Sequence, residues 1–261
     1  MHYIIILSQF QSISFVHCQG SQAMRYRIMD FHRAGVSAKS REVIEKVGPK
    51  YLVQGIKNAR KKTIAAMKDI QSCLKEGMTE KQARNLAMTV FRDHGAVAHW
   101  HKPYIRFGKA TTLTFHQLLQ TKERLKPNDP YYVDFGPVWK EDGISYEADY
   151  GDSFVFGENK EYVKLVKKAH RMFSKAKKYW KEEKASGAQI YKYLKKLSKE
   201  ENVKLLEDVD GHRLSNFSHF KYSKKHLAEV KFYPTKNLWI LELQINDPAG
   251  RFGAFYEDLL A

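Results

Sequence analysis

Residues 238–245 constrain the fold more than any other segment. They read Leu238, Trp239, Ile240, Leu241, Glu242, Leu243, Gln244, Ile245, so both alternating faces are apolar apart from Glu242 and Gln244. A strand of that kind belongs inside a sheet that is covered on both sides. An ionised carboxylate there is costly unless it is paired or bound to a metal. Glu257 repeats the anomaly in residues 254–260, beyond an Asn-Asp-Pro-Ala-Gly turn at 246–250. Covering such strands takes a sizeable core, and the chain supplies one. Its 261 residues are 43% hydrophobic and 13% aromatic, which excludes a disordered tail and reads as one large domain or two small ones. Only Cys18 and Cys73 are present, too few for a disulfide framework.

A second pair of carboxylates lies on a hairpin. Residues 131–138 and 145–156 read as strands around Asp142-Gly143, a turn that pairs Glu141 with Ile144. Counting outward, Gly136 faces Asp149 and Asp134 faces Gly151. Asp134 and Asp149 are therefore diagonal neighbours on one face, opposite glycines that leave the face open. Two carboxylates so close repel unless a cation sits between them or one carries a proton. A solvent-exposed acidic face is the other reading, and Glu147 shares the parity. Between the two hairpins, His212 and His219 stand seven apart.

The remaining elements are helical. Ile56, Ala59, Ala66, Met67, Ile70 and Leu74 recur at helical spacing over residues 54–74, with Gly77 expected just past the end. Thr79-Glu80-Lys81-Gln82 is a capping box for a second helix that Gly95 would close. Residues 96–126 are irregular and β-rich. A long helix then buries Tyr162, Leu165, Val166, Ala169, Phe173, Ala176 and Trp180. Ser186 and Gln189 cap another, which buries Ile190, Leu194 and Leu197. Helices and antiparallel hairpins in segregated runs indicate α+β. The two halves share an outline of helices followed by a hairpin, without a repeat at fixed period.

Taken in order, Asp134, Asp149, His212, Glu242 and Glu257 resemble the five-ligand dimetal site of the pita-bread metallopeptidase family. That family includes methionine aminopeptidase, aminopeptidase P and prolidase, with creatinase as a relative. Val133-Asp134-Phe135-Gly136 and Tyr146-Glu147-Ala148-Asp149 are similar to its aspartate motifs. Gly211-His212 resembles its histidine motif, with His219 at the usual distance, and Leu241-Glu242 and Tyr256-Glu257-Asp258 resemble its glutamate motifs. Glu76-Gly77-Met78-Thr79-Glu80 is similar to the family's start. The resemblance runs from about residue 51 to 261, leaving 1–50 as an N-terminal extension. It departs at five points. The aspartates stand about four residues farther apart than usual, an even insertion that preserves their facing. Asp152 replaces a frequent arginine, Ser215 a common glycine, and proline is missing after Glu242. Phe220 stands where methionine aminopeptidases have glutamate.

The resemblance implies a pita-bread fold: two related α/β halves around antiparallel strands with a central dimetal site. It implies Asp149 and Glu257 bridging two divalent ions, Asp134 on one ion, and His212 and Glu242 on the other. Glu242 would also take the proton of a bridging hydroxide nucleophile, while His116 and His219 would steady the intermediate and the leaving amine. Independently, four carboxylates balance two divalent cations, and oxygen donors with one imidazole suit Mn, Fe, Co or Zn. His99 and His101 match no ligand position and read as pocket wall or surface. The implied activity is removal of N-terminal residues from peptides, of Xaa-Pro type before methionine. At 261 residues the chain is expected to lack the additional N-terminal domain of aminopeptidase P and prolidase.

Lys and Arg number 45 against 29 Asp and Glu, a net charge of +16. Residues 160–204 alone carry 15 Lys and Arg against 5 Glu. These alternate with apolar stripes, so they read as solvated helix faces, with a basic surface for RNA or an acidic protein as the rival, non-catalytic reading. No apolar run is long enough to span a bilayer. Residues 3–7 are weakly signal-like, but no basic residue precedes them and Ser8, Gln9 and Gln11 interrupt the stretch. Met24 or Met29 is an alternative start, and the expected compartment is the cytoplasm.

Overall fold

The computed structural model describes residues 52–115, 117, 123–214 and 225–261. The extension at 1–50, and with it the signal-like stretch, lies outside them. Six antiparallel strands form the main sheet in the order β2 (Tyr104–Phe107), β3 (Asp129–Phe135), β6 (Tyr150–Phe156), β9 (Gly253–Leu259), β8 (Ile240–Asn246), β7 (Lys204–Leu205). A smaller sheet joins β1 (Ala98–His99), β4 (Pro137–Glu141) and β5 (Ile144–Glu147). The doubly apolar strand expected at 238–245 is β8, with every residue buried.

The Asp142-Gly143 turn sets the register of the whole first hairpin. Glu141 pairs with Ile144 and Asp134 with Gly151, as the count outward requires. Both turn residues have positive φ, 49° and 78°, as a two-residue hairpin turn demands. The hairpin is nonetheless not two unbroken strands. Pro137 has no N–H to extend the ladder, and the Gly136 carbonyl accepts from the Trp100 N–H at 2.9 Å. The inner half, β3 and β6, thus stays in the main sheet while the outer half, β4 and β5, pairs with β1.

Helices cover one face of the main sheet. α1 (Val53–Cys73) buries Ile56, Ala59, Ala66, Met67 and Ile70 against α2 (Glu80–Asp93) and the first hairpin. α3 (Lys160–Glu182) lies on β6, β8 and β9, and α4 (Gly187–Glu200) packs beside it. The two capping boxes read from sequence, Thr79 with Gln82 and Ser186 with Gln189, both form. Gly95 follows α2 at φ 90°, but Gly77 does not close α1. That helix stops at Cys73, and Gly77 instead turns the chain at φ 80° so that its N–H reaches the Leu125 carbonyl at 2.8 Å.

One side chain ties the helical layer to two segments that carry candidate site residues. The Tyr191 hydroxyl on α4 donates to the Glu242 carbonyl at 2.6 Å and accepts from the Gly211 N–H at 2.7 Å. Both backbone groups are buried, and removing the hydroxyl leaves them unsatisfied. Tyr191→Phe is expected to lower unfolding stability by about 1–3 kcal/mol, read from the urea midpoint with the denaturant slope unchanged. A loss below about 0.5 kcal/mol would show that these groups find other partners.

Candidate metal centre

Register places the carboxylates in a row. Asp134 on β3 faces Gly151 on β6, Gly151 faces Glu257 on β9, and Glu257 faces Glu242 on β8. Cross-strand partners point to the same face of a sheet, so three carboxylates line it, with glycine between the first two. A Cβ at Gly151 would stand 2.8 Å from Glu257 Oε1 and 2.2 Å from the Phe255 ring, so only glycine admits the Glu257 carboxylate there. Asp149 is two residues before Gly151 and joins the same face. His212 comes from the segment 211–214, which runs beside β8. The His212 carbonyl accepts from the Ile240 N–H at 2.8 Å, and the Leu214 N–H donates to the Leu238 carbonyl at 2.9 Å. Gly211 allows this close approach, since a Cβ there would lie 1.8 Å from the Ile240 oxygen.

All four carboxylates are buried, from 6% exposed at Asp134 to 1% at Glu257. The opposite face of the same strands is quenched by the helices. Asp152 meets His170 of α3 at 2.7 Å, and Asp258 pairs with Arg60 of α1. Asp152, where the family often has arginine, therefore faces away from the row. Gln244 is structural as well: its amide donates to the carbonyls of Thr111 at 2.8 Å and Leu113 at 3.1 Å.

His101 is not the wall or surface residue that the sequence suggests. Its Nε2 lies 3.3 Å from Asp134 Oδ1 and 3.3 Å from Asp149 Oδ1. His212 Nε2 lies 2.6 Å from the other oxygen, Asp149 Oδ2. Trp100 packs against both imidazoles, with ring centroids 4.3 Å from His101 and 4.8 Å from His212, and its indole N–H donates to the Ala148 carbonyl. The opening that Gly136 leaves opposite Asp149 is where His101 sits; a Cβ at Gly136 would fall 2.2 Å from its ring. His99 turns the other way, edge-on to Phe91 at 5.3 Å. Burial, with His101 nearby, holds it neutral at about 4. His116 and His219 lie outside the described residues, as do Ser215 and Phe220.

The electrostatics are those of too many acids in one dry place. Burial, then the Asp134 and Asp149 charges, push Glu242 well above the usual carboxylate range. Burial and the charges of Asp149, Asp134 and Glu242 do the same to Glu257. Burial lifts Asp134 to about 6 despite His101. Asp149 is the exception: burial opposes its charge, but hydrogen bonds to His101 and His212 hold it below its ordinary value. Burial also disfavours the charged His101, yet Asp134 and Asp149 outweigh it and hold the imidazole at about 9.

This donor set fits divalent cations. One nitrogen of His101 and one oxygen each of Asp134 and Asp149 lie within 4.8 Å of one another, the spread of ligands around one ion. Glu257 Oε1 is buried with no hydrogen-bond partner among the described residues, as an oxygen meant for a cation would be. Carboxylate oxygens with imidazole suit Mn, Fe, Co or Zn.

Without metal, the row makes stability fall with rising pH. The folded-state values of Glu242 and Glu257 are raised above the ordinary 4.5. Their contribution is therefore full below 4.5 and is lost as pH climbs through the folded values, at up to about 1.4 kcal/mol per pH unit for each proton. His101, raised from 6.5 to about 9, acts in the same direction. Metal-free protein is expected to melt lower at roughly pH 8 than at pH 5.5, with a shallower slope in Glu257→Gln. Added divalent cation is expected to stabilise more at the higher pH, because it displaces those protons. A metal-free melting temperature that climbs across this range, with the same slope in the variant, would contradict the account.

Residues 54–261 match the model of metallopeptidase family M24. Among solved structures, an X-Pro aminopeptidase from Thermotoga maritima superposes with a TM-score of 0.66 at 18% identity, over 84% of this chain and 64% of that one. The prolidase from Pyrococcus horikoshii gives 0.65 at 15% identity, over 84% and 61%. A methionine aminopeptidase from Thermotoga maritima gives 0.59 at 13% identity, over 82% of this chain and 98% of that one. This chain thus spans less than two thirds of the first two, and identities so low speak to the fold alone. No curated protein matches by sequence. The family match covers the whole α+β fold, the carboxylate row and His212, and the chain belongs to metallopeptidase family M24 with its pita-bread fold.

Proposed function

We propose that the protein is a metal-dependent aminopeptidase or dipeptidase that hydrolyses the N-terminal peptide bond of short peptides, with a preference for Xaa-Pro. The observation that carries this reading is the buried row Asp134, Gly151, Glu257, Glu242 with Asp149 and His212 on the same face. The order of the row supports the division of labour. Asp134 at one end would hold one ion, Glu242 and His212 on adjacent segments at the other end would hold the second, and Glu257 and Asp149 between them would serve both. When bound, the two cations would supply hydroxide at neutral pH and a Lewis acid for the scissile carbonyl.

The chain's own groups do the rest. Glu242 sits at the edge of the row with its backbone held by Tyr191, and its carboxylate, once ionised beside bound cations, would be the group to take a proton from the attacking water. Trp100 and Tyr104 form an aromatic wall beside His101, suited to an apolar N-terminal dipeptide and to exclusion of water. His116 and His219 are assigned the intermediate and the leaving amine by resemblance. The Xaa-Pro preference is supported by the fold likeness to the X-Pro aminopeptidase and the prolidase. Methionine aminopeptidase is the second reading, supported by the fold likeness to the Thermotoga enzyme, 98% of which the superposition covers.

Two measurements test this. Activity on a panel of Xaa-Pro and Met-Xaa peptides is expected with Xaa-Pro first; cleavage of Met-Xaa alone would select the second reading, and cleavage of neither would remove both. In the active protein, Glu242→Gln keeps the side-chain shape but loses the proton acceptor and a ligand charge. It is expected to lower kcat at least about 100-fold in a domain that still folds. Retention of most activity would place the proton acceptor elsewhere.

A further inference from the structure

We infer that His101 is a sixth protein ligand of the proposed metal centre, so that each of the two ions is held by one imidazole. The inference rests on the metal centre proposed above and adds a nitrogen donor on the Asp134 side. Three independent features carry it.

The first is distance. His101 Nε2 is 3.3 Å from an oxygen of Asp134 and 3.3 Å from an oxygen of Asp149. Donors bonded to one ion at about 2.0–2.2 Å lie about 2.8–3.1 Å apart in octahedral geometry and about 3.3–3.6 Å apart in tetrahedral geometry. The second is orientation. His101 Nδ1 donates to the Lys102 carbonyl at 2.8 Å, so the proton that a metal would displace is the one on Nε2, the nitrogen that faces the carboxylates. Metal-binding histidines are held in this way, with the far N–H on a carbonyl or carboxylate.

The third is the match to His212. The nearest ring nitrogens repeat: His212 Nδ1 faces the carbonyl of its own next residue, Arg213, at 3.3 Å, as His101 faces Lys102. Both Nε2 atoms then meet Asp149, His101 on Oδ1 and His212 on Oδ2. A carboxylate that offers one oxygen to each of two imidazoles is placed to bridge two ions that carry one imidazole each. Gly136 completes the case, since any side chain there would expel the His101 ring. A second imidazole also makes the pair of sites softer, favouring Co and Zn over Mn.

The test uses full-length protein loaded with Co(II) and read by paramagnetic proton NMR, where each coordinated imidazole with a retained Nδ1–H gives a shifted, exchangeable signal. Two such signals are expected in the parent. His101→Ala is expected to lose one and His212→Ala the other, and His101→Ala is expected to bind its weaker cobalt at least about tenfold less tightly. The parent spectrum stands whether or not a variant folds: a single imidazole signal there, with two cobalt ions bound, overturns the His101 assignment and leaves the peptidase reading intact. Two signals that both survive in folded His101→Ala also overturn it. A parent that takes up no cobalt overturns the metal centre itself and this inference with it.

Discussion

The structure depends on one close approach, where β6 meets β9 at Gly151 and Glu257. Each hairpin forms from its own turn, but the site exists only where the hairpins join. At that seam a side chain on β6 would collide with the Glu257 carboxylate and the Phe255 ring, and glycine removes the collision. Two residues on, the Ser153 hydroxyl bonds both the N–H and the carbonyl of Phe255, so the seam is held by a side chain where the strands part. The result is a continuous face on which acids from three strands, and Asp149 just before β6, share one buried volume. Burial and mutual repulsion raise three of them and leave Asp149, between two histidines, as the charged member.

The two faces of the sheet solve opposite problems. On the helix side Asp152 meets the imidazole of His170 and Asp258 pairs with the Arg60 guanidinium, so these acids tie α3 and α1 to the sheet. On the other side no lysine or arginine contact with the row is seen among the described residues, and only two imidazoles answer four carboxylates. Alternation along β6 and β9 puts these two environments one residue apart. An acid that faces a helix has a partner supplied by the chain, while the acids of the row require protons or metal.

Much of this was legible in the sequence because local rules set it. The Asp142-Gly143 turn fixes one register for residues 129–156, and from it follow the facing of Asp134 and Asp149 and their glycine partners. The buried strand with Glu242 was visible in its doubly apolar pattern. The gathering of the row came from the family resemblance and not from local rules, because the pairing of β6 with β9 joins segments about a hundred residues apart and no local signal sets it. His101 escaped for another reason. The chain bends after β1, where the Trp100 N–H takes the Gly136 carbonyl, and alternation no longer says where residue 101 points. The glycine opposite Asp149 marked an empty place, but not which side chain fills it. The break of the hairpin at Pro137 was likewise written in a residue without an N–H, and the strand pattern overrode it.

If four buried carboxylates are gathered to hold metal rather than to share protons, the protein must bind ions in a fixed ratio. Equilibrium dialysis of metal-stripped protein against Mn, Co and Zn at neutral pH measures that ratio directly. The account predicts saturation at two ions per chain for at least one of these metals. Saturation at none, in folded protein, would mean that the row is held by protons alone, and would contradict it.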